Sequence, residues 1–204
     1  MTILGLLLAG GQARRIGGID KGLSVIGGRS MIELIIERAQ SQVSTLIINA
    51  NGNTERFKKF GFEVIPDVIK GFAGPLAGVL TGLEWAKSNA PEINWVATFP
   101  TDAPFMPLDL VQRLIAAIDR NNADLACARS NGRSHPVFGI WPVYLADDLR
   151  HAMENEKLRK IDSWTARYNI VEVDFLDKPQ DPFFNINKPE HLIEAEKMMK
   201  LQKI

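Results

Sequence analysis

"LLLAGGQARRIGGIDKG", residues Leu6 to Gly22, sets an apolar run directly against a loop rich in glycine and cations. The run begins at Ile3 and is apolar at odd and even positions alike, as a strand buried on both faces must be. Gly10 and Gly11 follow it, where backbone N–H groups can approach an anion without Cβ interference. Between residues 10 and 30 the cations Arg14, Arg15, Lys21 and Arg29 stand against Asp20 alone. Cations and exposed amides together suit a polyphosphate. The spacing matches neither G-x-x-x-x-G-K-[ST] nor G-x-G-x-x-G, which excludes the P-loop and dinucleotide fingerprints. A plain turn would not need the whole stretch from Gly10 to Leu23.

Outward from this strand, short apolar runs alternate with amphipathic ones. "TLIINA", "FEVIP", "INWVATFP", "ADLACAR", "VFGIWP" and "IVEVDF" read as strands, most of them apolar on both faces. Ile32, Ile35, Ile36 and Ala39 recur at helical spacing in Ser30–Gln40. So do Val79, Leu83 and Ala86, and again Leu110, Leu114, Ala117 and Ile118. This order predicts an α/β fold, three layers with a doubly wound, mostly parallel sheet of Rossmann-like type. The regularity weakens after residue 130, where "RSHPVFGIWP" can supply an antiparallel strand and make the sheet mixed. In such sheets ligands bind beyond the carboxyl ends of the strands.

The totals fit that reading. A chain of 204 residues without a Ser/Gly-rich linker or repeat is expected to form one domain. Its nucleotide half would run to about residue 105 and its acceptor half from about 106. Basic and acidic residues balance at 24 each, so nothing global attracts nucleic acid or a membrane surface. The first apolar run falls far short of the roughly 20 residues of a membrane helix, and no basic region precedes it; a cytoplasmic protein is expected. One cysteine, Cys127, excludes an internal disulfide and belongs with the core residues around it.

Other polar residues fall at predicted strand ends. Asp102 in "FPTDAPF" closes the strand Trp95–Phe99, and a hard carboxylate oxygen there suits Mg²⁺. Pro104 and Pro107 push the next helix start to about Leu108, leaving Asp102 too early for an N-cap and Asp109 better placed. Asn49 and Asn51 in "IINANGN" read by themselves as turn residues. Asp67 follows the third strand and is either a plain loop carboxylate or an acceptor for a base with two adjacent donors. Guanine offers that pair in N1–H and its N2 amino group, and adenine does not. Gly74-Pro75-Leu76-Ala77-Gly78 opens a helix with little bulk, so backbone can come close to a flat base. His135 in "NGRSHPVFG" is an isolated loop histidine beside Arg133, and His151 and His191 are expected to be solvated. Asn187 and Glu190 in "FFNINKPEHL" fit a capping box with Pro189 in the first turn.

Together these stretches resemble a known family. "LAGGQARRIGGIDKG" is similar to the LAGGxxxRMGxxDK signature of nucleotidyltransferases, with Leu8, Ala9, Gly10, Gly11, Arg15, Gly17, Asp20 and Lys21 in register and Ile16 in place of methionine. It looks most like the branch that makes the guanine dinucleotide form of molybdenum cofactor. The motifs around Asn49, Asp67, "GPLAG", "TDAP" and "NINKPE" then appear in the family's order, though Lys188 replaces a threonine.

The resemblance implies transfer of GMP from GTP to Mo-molybdopterin, with Mg²⁺, or Mn²⁺ in its place, held by Asp102. It implies catalytic roles for Lys21, Arg15 and Asp102. Nucleotide contacts would come from Leu8, Ala9, Gly10, Gly11, Lys21, Asn49, Asp67, Gly74, Pro75, Leu76, Gly78 and Asp102, with Asn51 left in the turn. The acceptor would meet Arg133, His135, Asn185 and Asn187. Delivery of the product to apo-molybdoenzymes, and contact with other cofactor-biosynthesis proteins, are compatible with it. Rival readings are a cytidylyl- or sugar-phosphate nucleotidyltransferase of the same fold, or a GTP-binding carrier without catalysis. "LAGG" rather than "LAAG", and the presence of Asp67, favour guanosine. Retention of Lys21 and Asp102 argues against the carrier.

Overall fold

The computed structural model describes residues 2–9, 21–71, 74–175 and 180–202. In chain order the elements are β1 (Ile3–Leu8), a small hairpin of β2 (Val25–Ile26) and β3 (Arg29–Ser30), and helix α1 (Met31–Gln40). Next come β4 (Thr45–Asn49), β5 (Val64–Ile65), α2 (Pro75–Asn89), β6 (Trp95–Pro100) and α3 (Leu110–Asn121). The rest is β7 (Leu125–Ser130), β8 (Arg133–Pro142), α4 (Ala146–Glu154), α5 (Ile161–Thr165), β9 (Ile170–Asp174) and α6 (Pro189–Gln202).

Seven strands form one sheet in the order β5-β4-β1-β6-β8-β7-β9. β1 pairs in parallel with both β4 and β6. β8 runs antiparallel to β6 and β7, as the weakened regularity after residue 130 predicts. In β1, Ile3 and Leu7 face one side and Leu4 and Leu6 the other, all of them buried. Each such side chain contributes about 1.5–3 kcal/mol by burial, so both faces need a helical layer. α1 and α3 cover one face with Ile32, Ile35, Leu110 and Leu114. α2 and α4 cover the other with Leu80, Leu83 and Leu149, beside the stacked Trp141 and Trp164. A third cluster joins β2, α1 and α6 through Ile26, Met31 and Met198.

Two details differ from the sequence reading. α3 begins at Leu110 rather than Leu108, and Asp109 holds its N-cap position as expected but its side chain makes no capping bond. The Val111 N–H instead donates to Gln42 Oε1 at 3.0 Å, just past the end of α1. Gln42 and Arg38 also donate to the carbonyls of Pro107 and Met106, each at 3.0 Å. The end of α1 therefore does the capping and fixes the segment between Asp102 and α3. Cys127 is buried as expected, and burial pushes its thiol up to about 12.

From β1 the chain winds outward through β4 to β5, then returns by α2 to β6 on the other side of β1. The strand order thus reverses between β1 and β6, and in such sheets ligands bind beyond the carboxyl ends of the strands at that point.

Candidate active site

Hydrogen bonds lock the exits of β1, β4 and β6 into one rim. Leu8 lies in register with Asn49 on one side and Pro100 on the other. The Ala9 N–H donates to the Asn49 carbonyl at 2.9 Å, and the Thr101 hydroxyl donates to the Leu8 carbonyl at 3.3 Å. Gly10, Gly11 and Arg15 lie outside the described residues. The chain re-enters with the 3₁₀ turn Lys21–Leu23, and the Met31 N–H donates to the Ser24 carbonyl as α1 begins.

Asp102 sits two residues beyond β6 and is partly exposed on this rim. Its carbonyl accepts from the Ile186 N–H at 2.8 Å, which brings the late Asn185–Asn187 segment alongside it. The Ile186 side chain anchors that segment in the third cluster, next to Phe105. Among the described residues no group of three or more His, Cys, Asp and Glu could hold a metal. One protein carboxylate is enough for a hard cation such as Mg²⁺, which keeps several waters and takes remaining ligands from substrate phosphates.

The start of α6 corrects the capping reading. The helix begins at Pro189, so Lys188, not Asn187, holds the N-cap position. The Asn187 N–H donates to His191 Nδ1 at 3.1 Å, and the Asn185 carbonyl lies 3.0 Å from the same nitrogen. His191 is therefore a half-buried capping side chain packed on Phe184 rather than a fully solvated one. His151 is exposed, as expected.

Asn49, Asn51 and Asp67 converge at the exits of β4 and β5. Asn49 is 2% exposed, and its Nδ2 donates to the Ile65 carbonyl at 3.2 Å and to Asp67 Oδ1 at 2.9 Å. Asn51 is no simple turn residue: its Nδ2 donates to Asp67 Oδ2 at 2.7 Å, and its Oδ1 accepts the Asp67 N–H at 3.0 Å. Spacing was the available signal, since residues i and i+2 of an extended chain point to the same side.

The first turn of α2 packs directly on this cluster. Gly74 takes φ +78°, which favours glycine, and Pro75 is exposed at the first helical position. The Leu76 side chain is fully buried in the core, so only its backbone can line a pocket. At Gly78 an added Cβ would lie 2.6 Å from both Asn49 Oδ1 and Leu8 Cδ2.

At the far side of the rim, Arg133 is exposed at the start of β8, while His135 is only 7% exposed. His135 Nε2 lies 2.8 Å from Ser130 Oγ, whose hydrogen goes to Asp181 Oδ1 at 2.8 Å. A hydroxyl has one hydrogen to donate, so His135 carries its proton on Nε2. Burial holds its pKa below the ordinary value; Asp181 pulls the other way and Arg133 adds to the lowering. Asp181 also accepts the Phe183 N–H at 2.9 Å, and the Phe183 ring sits 4.9 Å from the imidazole. His135 thus reaches the late segment through Ser130, Asp181 and Phe183, a set the sequence reading missed. Serine stands in the middle of the chain with its hydrogen directed at the carboxylate, an arrangement that does not activate it as a nucleophile.

Residues 5–169 match the family model described as the MobA-like NTP transferase domain. A protein of Bradyrhizobium sp. (strain ORS 278), named molybdenum cofactor guanylyltransferase, is 48% identical over 201 residues, spanning 98% of this chain and 95% of that protein. The solved structure of molybdopterin-guanine dinucleotide biosynthesis protein A from Archaeoglobus fulgidus has a TM-score of 0.77 at 23% identity, covering 97% of this chain and 99% of that one. A Mycobacterium tuberculosis protein solved in complex with manganese has a TM-score of 0.66 at 14% identity, with both chains fully covered. At these identities the two structures share the fold, a three-layer α/β sheet of nucleotidyltransferase type.

Proposed function

This chain belongs to the MobA-like NTP transferase family, and on that premise we propose that it transfers GMP from GTP to the terminal phosphate of Mo-molybdopterin, giving the guanine dinucleotide cofactor and pyrophosphate. The observation that carries this reading is the continuous rim at the switch point. There Leu8 holds Thr101, and Asp102 holds the late segment through Ile186. The exit of β1 at Leu8–Ala9, a carboxylate and a candidate acceptor wall are thereby adjacent.

The acceptor phosphate is already an anion, so no side chain has to remove a proton. Its oxygen attacks the α-phosphorus of GTP as the bond to the β-phosphate breaks, and pyrophosphate leaves with the electron pair. Catalysis then rests on positioning two anions and stabilising charge at the α-phosphate. We assign Gly10, Gly11 and Arg15 to the β- and γ-phosphates and Lys21 to the α-phosphate, on the signature they share with the family. Asp102 would hold Mg²⁺, with Mn²⁺ as substitute; when bound, such a cation polarises phosphate oxygens and fixes their orientation. Asp67 would accept from guanine N1–H and N2, with Asn49 holding it in place. The backbone of Gly74–Gly78 and the Leu8–Ala9 exit would form the rest of the nucleoside wall.

Asn185, Asn187 and Arg133 are assigned to the acceptor, with His135 acting behind them. The nucleotide half of the chain then runs to about residue 105 and the acceptor half from about 106. Among the described residues no helix is long and apolar enough to cross a membrane; work in the cytoplasm, with delivery to apo-molybdoenzymes, is part of the proposal. The test is pyrophosphate release from GTP on addition of Mo-molybdopterin with Mg²⁺. Release that requires the acceptor supports the assignment. Release at the same rate without it would overturn it.

A further inference from the structure

Asp67 is held from three directions, and the donors and acceptors around it define what it can read. Asn49 donates to one carboxylate oxygen and Asn51 to the other. Asn51 also takes the Asp67 N–H, so carboxamide and aspartate close a ring of two hydrogen bonds between the exits of β4 and β5. Asn51 is itself braced: the Arg56 guanidinium donates to its carbonyl at 3.3 Å and lies 4.5 Å over the buried Phe57 ring. The neighbouring Asn53 carbonyl accepts from the same guanidinium. Asn49 cannot turn to a ligand, because it is buried and both its amide hydrogens are in use.

We propose that Asn51 is a positioning residue for base selection, holding the Asp67 carboxylate in one plane for a base that presents two adjacent N–H donors. This rests on Asp67 as the base acceptor in the proposed function. Each carboxylate oxygen has two acceptor positions, and the carboxamides take one apiece. The pair that remains matches two parallel donors, as guanine N1–H and N2–H are. Adenine and cytosine each place a bare ring nitrogen beside their amino group, which would set a lone pair against the carboxylate. Discrimination of that repulsive kind depends on a carboxylate that cannot rotate away. Asn49 alone would leave Oδ2 free to swing, and Asn51 removes that freedom.

The experiment compares binding of GTP and ITP to the full chain with Mg²⁺ by calorimetry. ITP keeps N1–H and lacks only the N2 amino group. Loss of one hydrogen bond to a charged acceptor should weaken ITP against GTP by about ten- to a hundredfold in the unaltered protein. Asn51→Ala should shrink that ratio to within about threefold, mainly by weakening GTP. Asn51→Ser adds no charge and is too short to reach Asp67 Oδ2, so it loses that donor and should shrink the ratio equally. A brace of merely structural importance would weaken both nucleotides together and leave the ratio intact, and that result would overturn the proposal. Equal GTP and ITP affinity in the unaltered protein would instead overturn Asp67 as the base acceptor. If Asn51→Ala fails to fold, as read by its melting transition, Asn51→Ser carries the same comparison.

Discussion

Gly78 approaches Asn49 so closely that a methyl group added to it would lie 2.6 Å from the Asn49 side-chain oxygen. Alanine inside a helix is ordinarily about 1 kcal/mol better than glycine. Here the overpacking cost, about 1–3 kcal/mol, opposes that gain and should exceed it. Gly78→Ala is expected to lower the urea midpoint and also to weaken GTP, because Asn49 carries Asp67. Ser88→Ala, exposed on the same helix, should do neither. A stabilised Gly78→Ala would show that α2 can move away from β4 at no cost.

Asp102 joins two functions that one substitution can separate. Its carbonyl holds Ile186, and its side chain is the proposed cation ligand. Asp102→Asn leaves the carbonyl and its bond to Ile186 in place, so the late segment should stay docked. Turnover should fall on the order of 10²–10³, the cost of losing one charge-stabilising group in a transition state. Near-full turnover with Mg²⁺ would remove Asp102 from the cation site.

His135 should make the protein acid-sensitive. Burial puts its folded pKa below the unfolded value, so between the two the unfolded chain binds more protons. Its contribution is fully present above about pH 6.5 and is lost as pH falls through the lower, folded pKa. Gln supplies an amide donor at the place of Nε2 and carries no titrating group, so His135→Gln should flatten this part of the acid slope. Urea midpoints of both proteins at pH 7.5 and pH 5 give the comparison. Parallel slopes would mean that other groups set the acid limit.

The parts of this fold that were legible in the sequence are those written locally. β1, β4 and β6 announce themselves as apolar runs, and α1 as an apolar stripe that starts after Ser30, whose N–H bonds to Glu33 at 2.7 Å. The two-residue strands β2 and β3 are too short to show a period. The capping bond of α3 is not legible locally, because at the Asp109 N-cap it comes from Gln42, 69 residues away from Val111. His135 and Asp181 met the same obstacle: their link through Ser130 exists only once β7, β8 and the late segment are together. Asn51 reads as a turn residue from sequence because asparagine favours turns everywhere, and only the folded chain shows Asp67 opposite it.

The most direct test of the account is a competition for the acceptor. Purified protein is incubated with Mo-molybdopterin, Mg²⁺ and equal GTP, CTP and ATP, and the pterin products are identified by mass. The account predicts the guanine dinucleotide alone, with pyrophosphate released in equal amount. A cytosine or adenine dinucleotide in comparable yield would contradict the reading of Asp67, and no dinucleotide at all would contradict the reaction.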